Sequence, residues 1–155
     1  MSDDGSSKTY DRALNMLAFR ARSEREVRRQ LARKGEPAEH IEAAVERLLR
    51  VGLLNDFEFA RQFARAKLAG PGLSKRRVQT ELARKGVARE VVDAAIAEVF
   101  TDESVDQEAM IARVAEKKLR SLAKLDPEIR RRRLYAFLAR RGYGPDEIRK
   151  VMGRE

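Results

Sequence analysis

The sequence has no cysteine. That excludes disulfides, a thiolate metal site and a cysteine nucleophile, and it fits a reducing, cytoplasmic setting. Aromatic residues are scarce at 6%, while charged residues reach 38%, so one large core is not expected. No apolar run approaches the roughly 20 residues that a membrane span requires, and no membrane partner is expected. The opening Met1–Lys8 is acidic and polar, which argues against a signal peptide and predicts a disordered tail over residues 1–9. Histidine occurs once, as His40, with no companion at metal-ligand spacing, and reads as an ordinary helix-surface residue. Gly70-Pro71-Gly72 is a turn before a helix cap and not a phosphate-binding loop. Asp56 and Glu58 follow Asn55 at a helix start, where capping explains them. Nothing selects a catalytic pair among the 25 acidic residues, and nothing calls for a metal or cofactor. The chain reads as a binding protein, not an enzyme.

What is plentiful is Ala, Leu, Arg, Glu and Lys, the strong helix formers. Internal similarity gives the organisation. Residues 23–35 read SEREVRRQLARKG and residues 74–86 read SKRRVQTELARKG. Ser23, Val27, Leu31, Ala32, Arg33, Lys34 and Gly35 recur as Ser74, Val78, Leu82, Ala83, Arg84, Lys85 and Gly86. A weaker third copy runs through Leu134, Leu138, Ala139, Arg140, Arg141 and Gly142.

Each copy has the punctuation of a helix. Ser23 with Glu26 has capping-box spacing, Ser74 lies between Leu73 and Val78 as in a hydrophobic staple, and Asp126-Pro127 supplies a cap with proline at the first helical position. Basic residues fill each last turn, and a glycine offers a left-handed stop. A second helix follows each glycine, with stripes Ile41-Ala44-Val45-Leu48, Val92-Ala95-Ile96-Val99 and Ile148-Met152. Another precedes each copy, with stripes Leu14-Leu17-Ala18-Ala21, Phe59-Phe63-Ala66 and Ile111-Val114-Ala115-Leu119. The fold class is therefore all-α: about nine helices in three tandem three-helix repeats, over residues 10–52, 53–101 and 102–155, with breaks near Leu53–Asn55 and Thr101–Ser104. Units of this size have marginal cores, so they should stack on each other or be steadied by a partner, and an elongated, bent array is expected.

The net charge of +9 favours a polyanionic partner, although excess charge also keeps small proteins soluble. Its distribution sharpens the first reading. Residues 23–35, 74–86 and 126–142 hold 16 basic against 5 acidic residues, whereas the rest holds 18 against 20. At 100° per residue Arg25, Arg29 and Arg33 share one arc, opposite Val27 and Leu31. Arg76 and Arg84 hold that arc in the second copy, and Arg132 and Arg140 in the third. With Lys34, Arg77, Lys85, Arg133 and Arg141 they are the candidate residues for binding a protein partner or DNA. Phe57, Phe59, Phe63 and Phe137 sit among apolar residues and read as core. Tyr135 and Tyr143 read as core or rim, so phosphate contact is favoured over base stacking.

Ala13-Leu14 with Leu17, then Ser23-Glu24 and a helix ending Leu31-Ala32-Arg33-Lys34-Gly35, resembles the opening of the RecX family of bacterial regulatory proteins. Gly52-Leu53-Leu54-Asn55-Asp56 leading into Phe59-Ala60, Lys85-Gly86, and the closing Phe137-Leu138 with Arg140-Arg141-Gly142-Tyr143 continue the resemblance. It covers nearly everything after the first ten residues, and the order and spacing of the motifs are specific where no single motif is. The resemblance implies a cytoplasmic modulator of the RecA recombinase in DNA repair and the SOS response. It implies binding to RecA and to its filament on single-stranded DNA, lodging in the filament groove and curbing filament growth, ATP hydrolysis, strand exchange and co-protease activity. A monomer is expected. Two features depart from a regular repeat: Arg130–Arg133 run consecutively, and Glu26 stands where the other copies have Arg77 and Arg133. Direct DNA binding that acts by competition, and a helical adaptor for another protein, remain open alternatives.

Overall fold

The computed structural model describes residues 3–69, 72–102 and 107–153. Among these residues the chain forms nine α-helices and no strand: α1 (Asp3–Phe19), α2 (Glu24–Arg33), α3 (Ala38–Arg50), α4 (Asp56–Ala69), α5 (Lys75–Arg84), α6 (Arg89–Asp102), α7 (Gln107–Ser121), α8 (Pro127–Arg140) and α9 (Pro145–Met152). The helices α2, α5 and α8 are the middle members of the three repeats.

The caps are local chemistry. The Ser23 hydroxyl accepts the Glu26 N–H at 3.2 Å, and the Glu26 carboxylate accepts the Ser23 N–H at 3.0 Å, completing a capping box. Such a cap contributes about 1 kcal/mol. Ser74 accepts the Arg77 N–H at 3.1 Å in the same way. Asp126 is an N-cap whose carboxylate makes no capping bond, so there proline at the first helical position marks the start instead. Gly35, Gly86 and Gly142 end the middle helices with φ of 82°, 86° and 98°. In each, the glycine N–H returns to the carbonyl three residues back and the next N–H to the leucine carbonyl five back, a Schellman stop.

The core follows the heptad-like spacing of the apolar residues. Val27, Leu31, Val78, Leu82, Leu134 and Leu138 are all fully buried, each burial contributing roughly 1.5–3 kcal/mol. The helices after each glycine bury Ile41, Ala44, Val45 and Leu48, then Val92, Ala95, Ile96 and Val99, then Ile148, Val151 and Met152. The leading helices differ from expectation. In α1 the buried set is Tyr10, Ala13 and Met16, with Leu14 and Leu17 at its margin, while Ala18 and Ala21 are exposed. In α4 it is Phe59, Ala60, Ala64 and Leu68, with Phe63 half-buried and Ala66 exposed.

The tail expected over residues 1–9 is helical from Asp3 onward. Thr9, fully buried, explains the extension: its hydroxyl donates to the Glu36 carboxylate at 2.6 Å and lies 3.1 Å from the Gly5 carbonyl. Arg12 pairs with the other Glu36 oxygen. Polar residues therefore anchor this turn, where an apolar pattern finds no signal. Met1 and Ser2, the Gly70-Pro71 part of the expected turn, and Glu103-Ser104 of the expected break lie outside the described residues.

Two compact units are present, Met1–Ala60 with Leu82–Ala94, and Arg61–Glu81 with Ala95–Glu155. The division passes through α4, α5 and α6 and so does not follow the repeats. The first unit holds repeat 1 and the C-terminal end of α5; the second holds repeat 3 and the N-terminal end of α5.

Candidate interface on the basic middle helices

Each unit contains the same joint. In the first, the Ser23 hydroxyl donates to the Lys85 carbonyl at 2.6 Å, so the start of α2 sits on the end of α5. In the second, the Ser74 N–H donates to the Arg141 carbonyl at 3.0 Å, so the start of α5 sits on the end of α8. The glycine stop is what admits the neighbour. A Cβ at Gly86 would stand 2.6 Å from the Arg25 Cβ, and one at Gly142 would stand 2.8 Å from the Arg77 Cβ. Gly35, at the end of α2, has nothing within 4 Å of that position. The recurrent Ser and Lys/Arg-Gly elements thus cap their own helix and join it to the next repeat.

The joints sort the candidate cations. Arg77 donates to the Arg140 carbonyl at 2.8 Å and pairs with Glu81 at 3.3 Å. Lys85 lies 3.6 Å from Glu26. Burial pushes the Glu26 carboxyl up, but the Ser23 N–H, Arg20 and Lys85 together hold it below the usual carboxylate range. Glu26, where the other copies carry arginine, is thereby a capping and joint residue. The Arg141 guanidinium stacks 4.6 Å from the Phe137 ring, with the Lys118 ammonium 4.9 Å from the same ring. Arg25 lays its aliphatic stem across Gly86.

Arg29, Arg33, Lys34, Arg76, Arg84, Arg132, Arg133 and Arg140 are all exposed, and none forms an ion pair with another described residue. Arg29 and Arg33, Arg76 and Arg84, and Arg132 and Arg140 lie opposite the buried Val27-Leu31, Val78-Leu82 and Leu134-Leu138 pairs, as the helical arc requires. Such groups remain available for phosphate or carboxylate oxygens.

Three other features were not legible as sites. Asp56 caps a helix other than its own: its carboxylate accepts the Glu24 N–H at 2.8 Å, while Asn55 caps α4 by accepting the Glu58 N–H at 3.1 Å. Burial raises the Asp56 carboxyl above its ordinary range. Tyr143 is buried and its hydroxyl donates to the Gly72 carbonyl. Desolvation pushes its pKa up to about 12. His40 is half-buried with its ring against Gly5. Among the described residues no group of three or more His, Cys, Asp or Glu could hold a metal ion, and no helix is long and apolar enough to cross a membrane.

The sequence matches three family models in chain order: the RecX first three-helix domain over residues 10–48, the second over 55–96 and the third over 106–152. A regulatory protein RecX from Amycolatopsis mediterranei (strain U-32) is 39% identical over 136 residues, covering 88% of this chain and 76% of that protein. Another from Pelodictyon phaeoclathratiforme is 33% identical over 152 residues, covering 98% and 91%. The crystal structure of RecX from Lactobacillus salivarius has the same fold, with a TM-score of 0.79 at 22% identity over 97% of this chain and 96% of that one. Matched in three domains and along most of its length, the chain belongs to the RecX family of regulatory proteins.

Proposed function

We propose that this protein is a negative modulator of the RecA recombinase, acting as a cytoplasmic monomer in DNA repair and SOS regulation. It engages RecA and RecA filaments on single-stranded DNA in the filament groove. Occupying that groove limits filament growth, ATP hydrolysis, strand exchange and co-protease activity. Family membership supports a regulatory role. The observation that carries the reading for this chain is the set of exposed guanidinium groups, without an ion pair among the described residues, on three successive middle helices. Each compact unit carries such groups on its own middle-helix segments, where they suit filament phosphates or acidic protein faces.

The test reverses charge away from the joints. A variant with Arg29, Arg33, Arg76 and Arg84 each changed to Glu should retain its helix content and lose most of its inhibition of RecA ATPase on single-stranded DNA. Unchanged inhibition would overturn the assignment of this surface. Competition for naked DNA is the second reading, since the same guanidinium groups suit phosphates. It is separated by adding free DNA to an inhibited filament: relief in proportion to the added DNA favours competition.

A further inference from the structure

The positions around each glycine stop align across the repeats, and one groove changes character along the chain. In repeat 1, Arg28 bridges Glu24 at 2.6 Å and Glu42 at 2.9 Å, locking α2 to α3 and raising the Arg28 pKa through the Glu42 hydrogen bond. Counted from Gly142 as those are from Gly35, the equivalents in repeat 3 are Arg131 for Glu24, Tyr135 for Arg28 and Arg149 for Glu42. Both carboxylates have become guanidinium groups, and the bridging arginine has become an aromatic ring. Repeat 2 has neither arrangement, with Lys75, Gln79 and Asp93 at these positions.

The consequence is an open cleft between α8 and α9 of roughly 600 Å³, lined by Glu128, Arg131, Arg132, Tyr135, Arg149 and Met152. Glu128, Arg131, Arg132 and Tyr135 follow the i, i+3, i+4, i+7 spacing of one helical face. Arg149 is exposed and shared with Asp146 at 2.7 Å, whereas Arg131 and Arg132 form no ion pair with another described residue. Tyr135 is 38% exposed although it stands on the helix that buries Leu134 and Leu138. An accessible ring flanked by unpaired planar cations, in a cleft large enough for a small ligand, is the arrangement that takes a base by stacking and a phosphate by paired hydrogen bonds.

We propose that the α8–α9 groove of the third repeat is a nucleotide-binding site for single-stranded nucleic acid, with phosphates on Arg131 and Arg132 and one base against Tyr135. Repeats 1 and 2 carry Arg28 and Gln79 at the position of Tyr135, so this stacking contact belongs to the third repeat. The proposal is independent of the recombinase and is tested without it.

The probe is fluorescein-labelled oligo-dT, with an abasic oligonucleotide of the same length, titrated with the full chain and read by anisotropy. Tyr135→Ala should weaken oligo-dT binding about tenfold and leave the abasic strand unaffected, and Tyr135→Phe should retain affinity. Arg131→Glu with Arg132→Glu should weaken both strands and lower the log–log salt slope by about 1.4, the value for two phosphates on a single strand. Circular dichroism checks that each variant is folded. An equal loss on both strands for Tyr135→Ala, or no loss, would overturn the stacking site. Displacement of oligo-dT by poly-glutamate at equal charge concentration would also overturn it, reassigning the groove to an acidic protein segment.

Discussion

The three glycine stops provide an internal experiment on what joins the repeats. Gly35, Gly86 and Gly142 share left-handed φ values of 82°, 86° and 98°, so alanine is strained at all three by a similar amount. That strain is about 1 kcal/mol. At Gly35 nothing lies within 4 Å of the new Cβ, and the strain is the whole effect. At Gly86 the methyl would stand 2.6 Å from the Arg25 Cβ, and at Gly142 it would stand 2.8 Å from the Arg77 Cβ and 3.4 Å from the Arg77 backbone nitrogen. These atoms are on or next to a helix backbone and cannot rotate away, so the joint must open by a few tenths of an ångström or more. Overpacking of that kind adds about 1–3 kcal/mol. With about 2–4 °C of melting temperature per kcal/mol at this length, Gly35→Ala should lower Tm by about 3 °C and Gly86→Ala by about 9 °C. Gly35 and Gly86 belong to the same compact unit, so the first is a matched control for the second. Thermal and urea unfolding followed by circular dichroism measure both. Equal losses at Gly35 and Gly86 would refute the joint: backbone strain alone would then set the cost, and the Ser23–Lys85 contact would be incidental.

Two further substitutions probe buried polar contacts. Thr9, followed by Arg12, holds the Glu36 carboxyl below its ordinary range, so its folded-state pKa is depressed and its stabilisation is present above the unfolded value near 4.5. Wild type should therefore melt above Glu36→Gln at neutral pH, and the difference should fade as pH drops through and below 4.5; a gap that persists in strong acid would contradict the ion pair. Tyr143→Phe removes the hydroxyl that donates to the Gly72 carbonyl and leaves a buried acceptor short of that partner. The expected cost is about 1–2 kcal/mol by urea denaturation, and an unchanged midpoint would show that water replaces the hydroxyl.

Much of this architecture is legible in the sequence because its signals are local. The spacing of Val27 and Leu31, or of Val78 and Leu82, fixes the buried face of a helix without reference to anything distant. Ser23 with Glu26 and the glycines mark ends through bonds that span three to five residues. What the pattern misses is made by partners far apart in sequence. Thr9 is polar and would be assigned to solvent, yet Glu36, 27 residues away, draws it into the core and extends α1 through the expected tail. Asp56 looks like a cap for its own helix and serves α2, 32 residues earlier. The stripe in α1 is displaced because Tyr10 turns inward, its ring covered by the Arg47 guanidinium at 3.9 Å. Tyr135 has no local mark separating a core aromatic from an exposed one. The signal that does single it out is comparison between repeats, where Glu24, Arg28 and Glu42 give way to Arg131, Tyr135 and Arg149.

The same comparison changes the meaning of the basic excess. Taken as a total, the surplus on the middle helices treats every lysine and arginine as equivalent. The joints show that they are not. Arg77 spends its guanidinium on the Arg140 carbonyl and Glu81, Lys85 lies beside Glu26, and Arg141 stacks on Phe137. Reversing any of these would disturb the connection between repeats as well as the surface charge, and a lost activity could not be traced to a lost partner contact. Arg29, Arg33, Arg76 and Arg84 are exposed and free of ion pairs among the described residues, so reversing them changes the field presented to a polyanion with little effect on stability. This exposed set recurs on α2 and α5, and Arg132 and Arg140 continue it on α8.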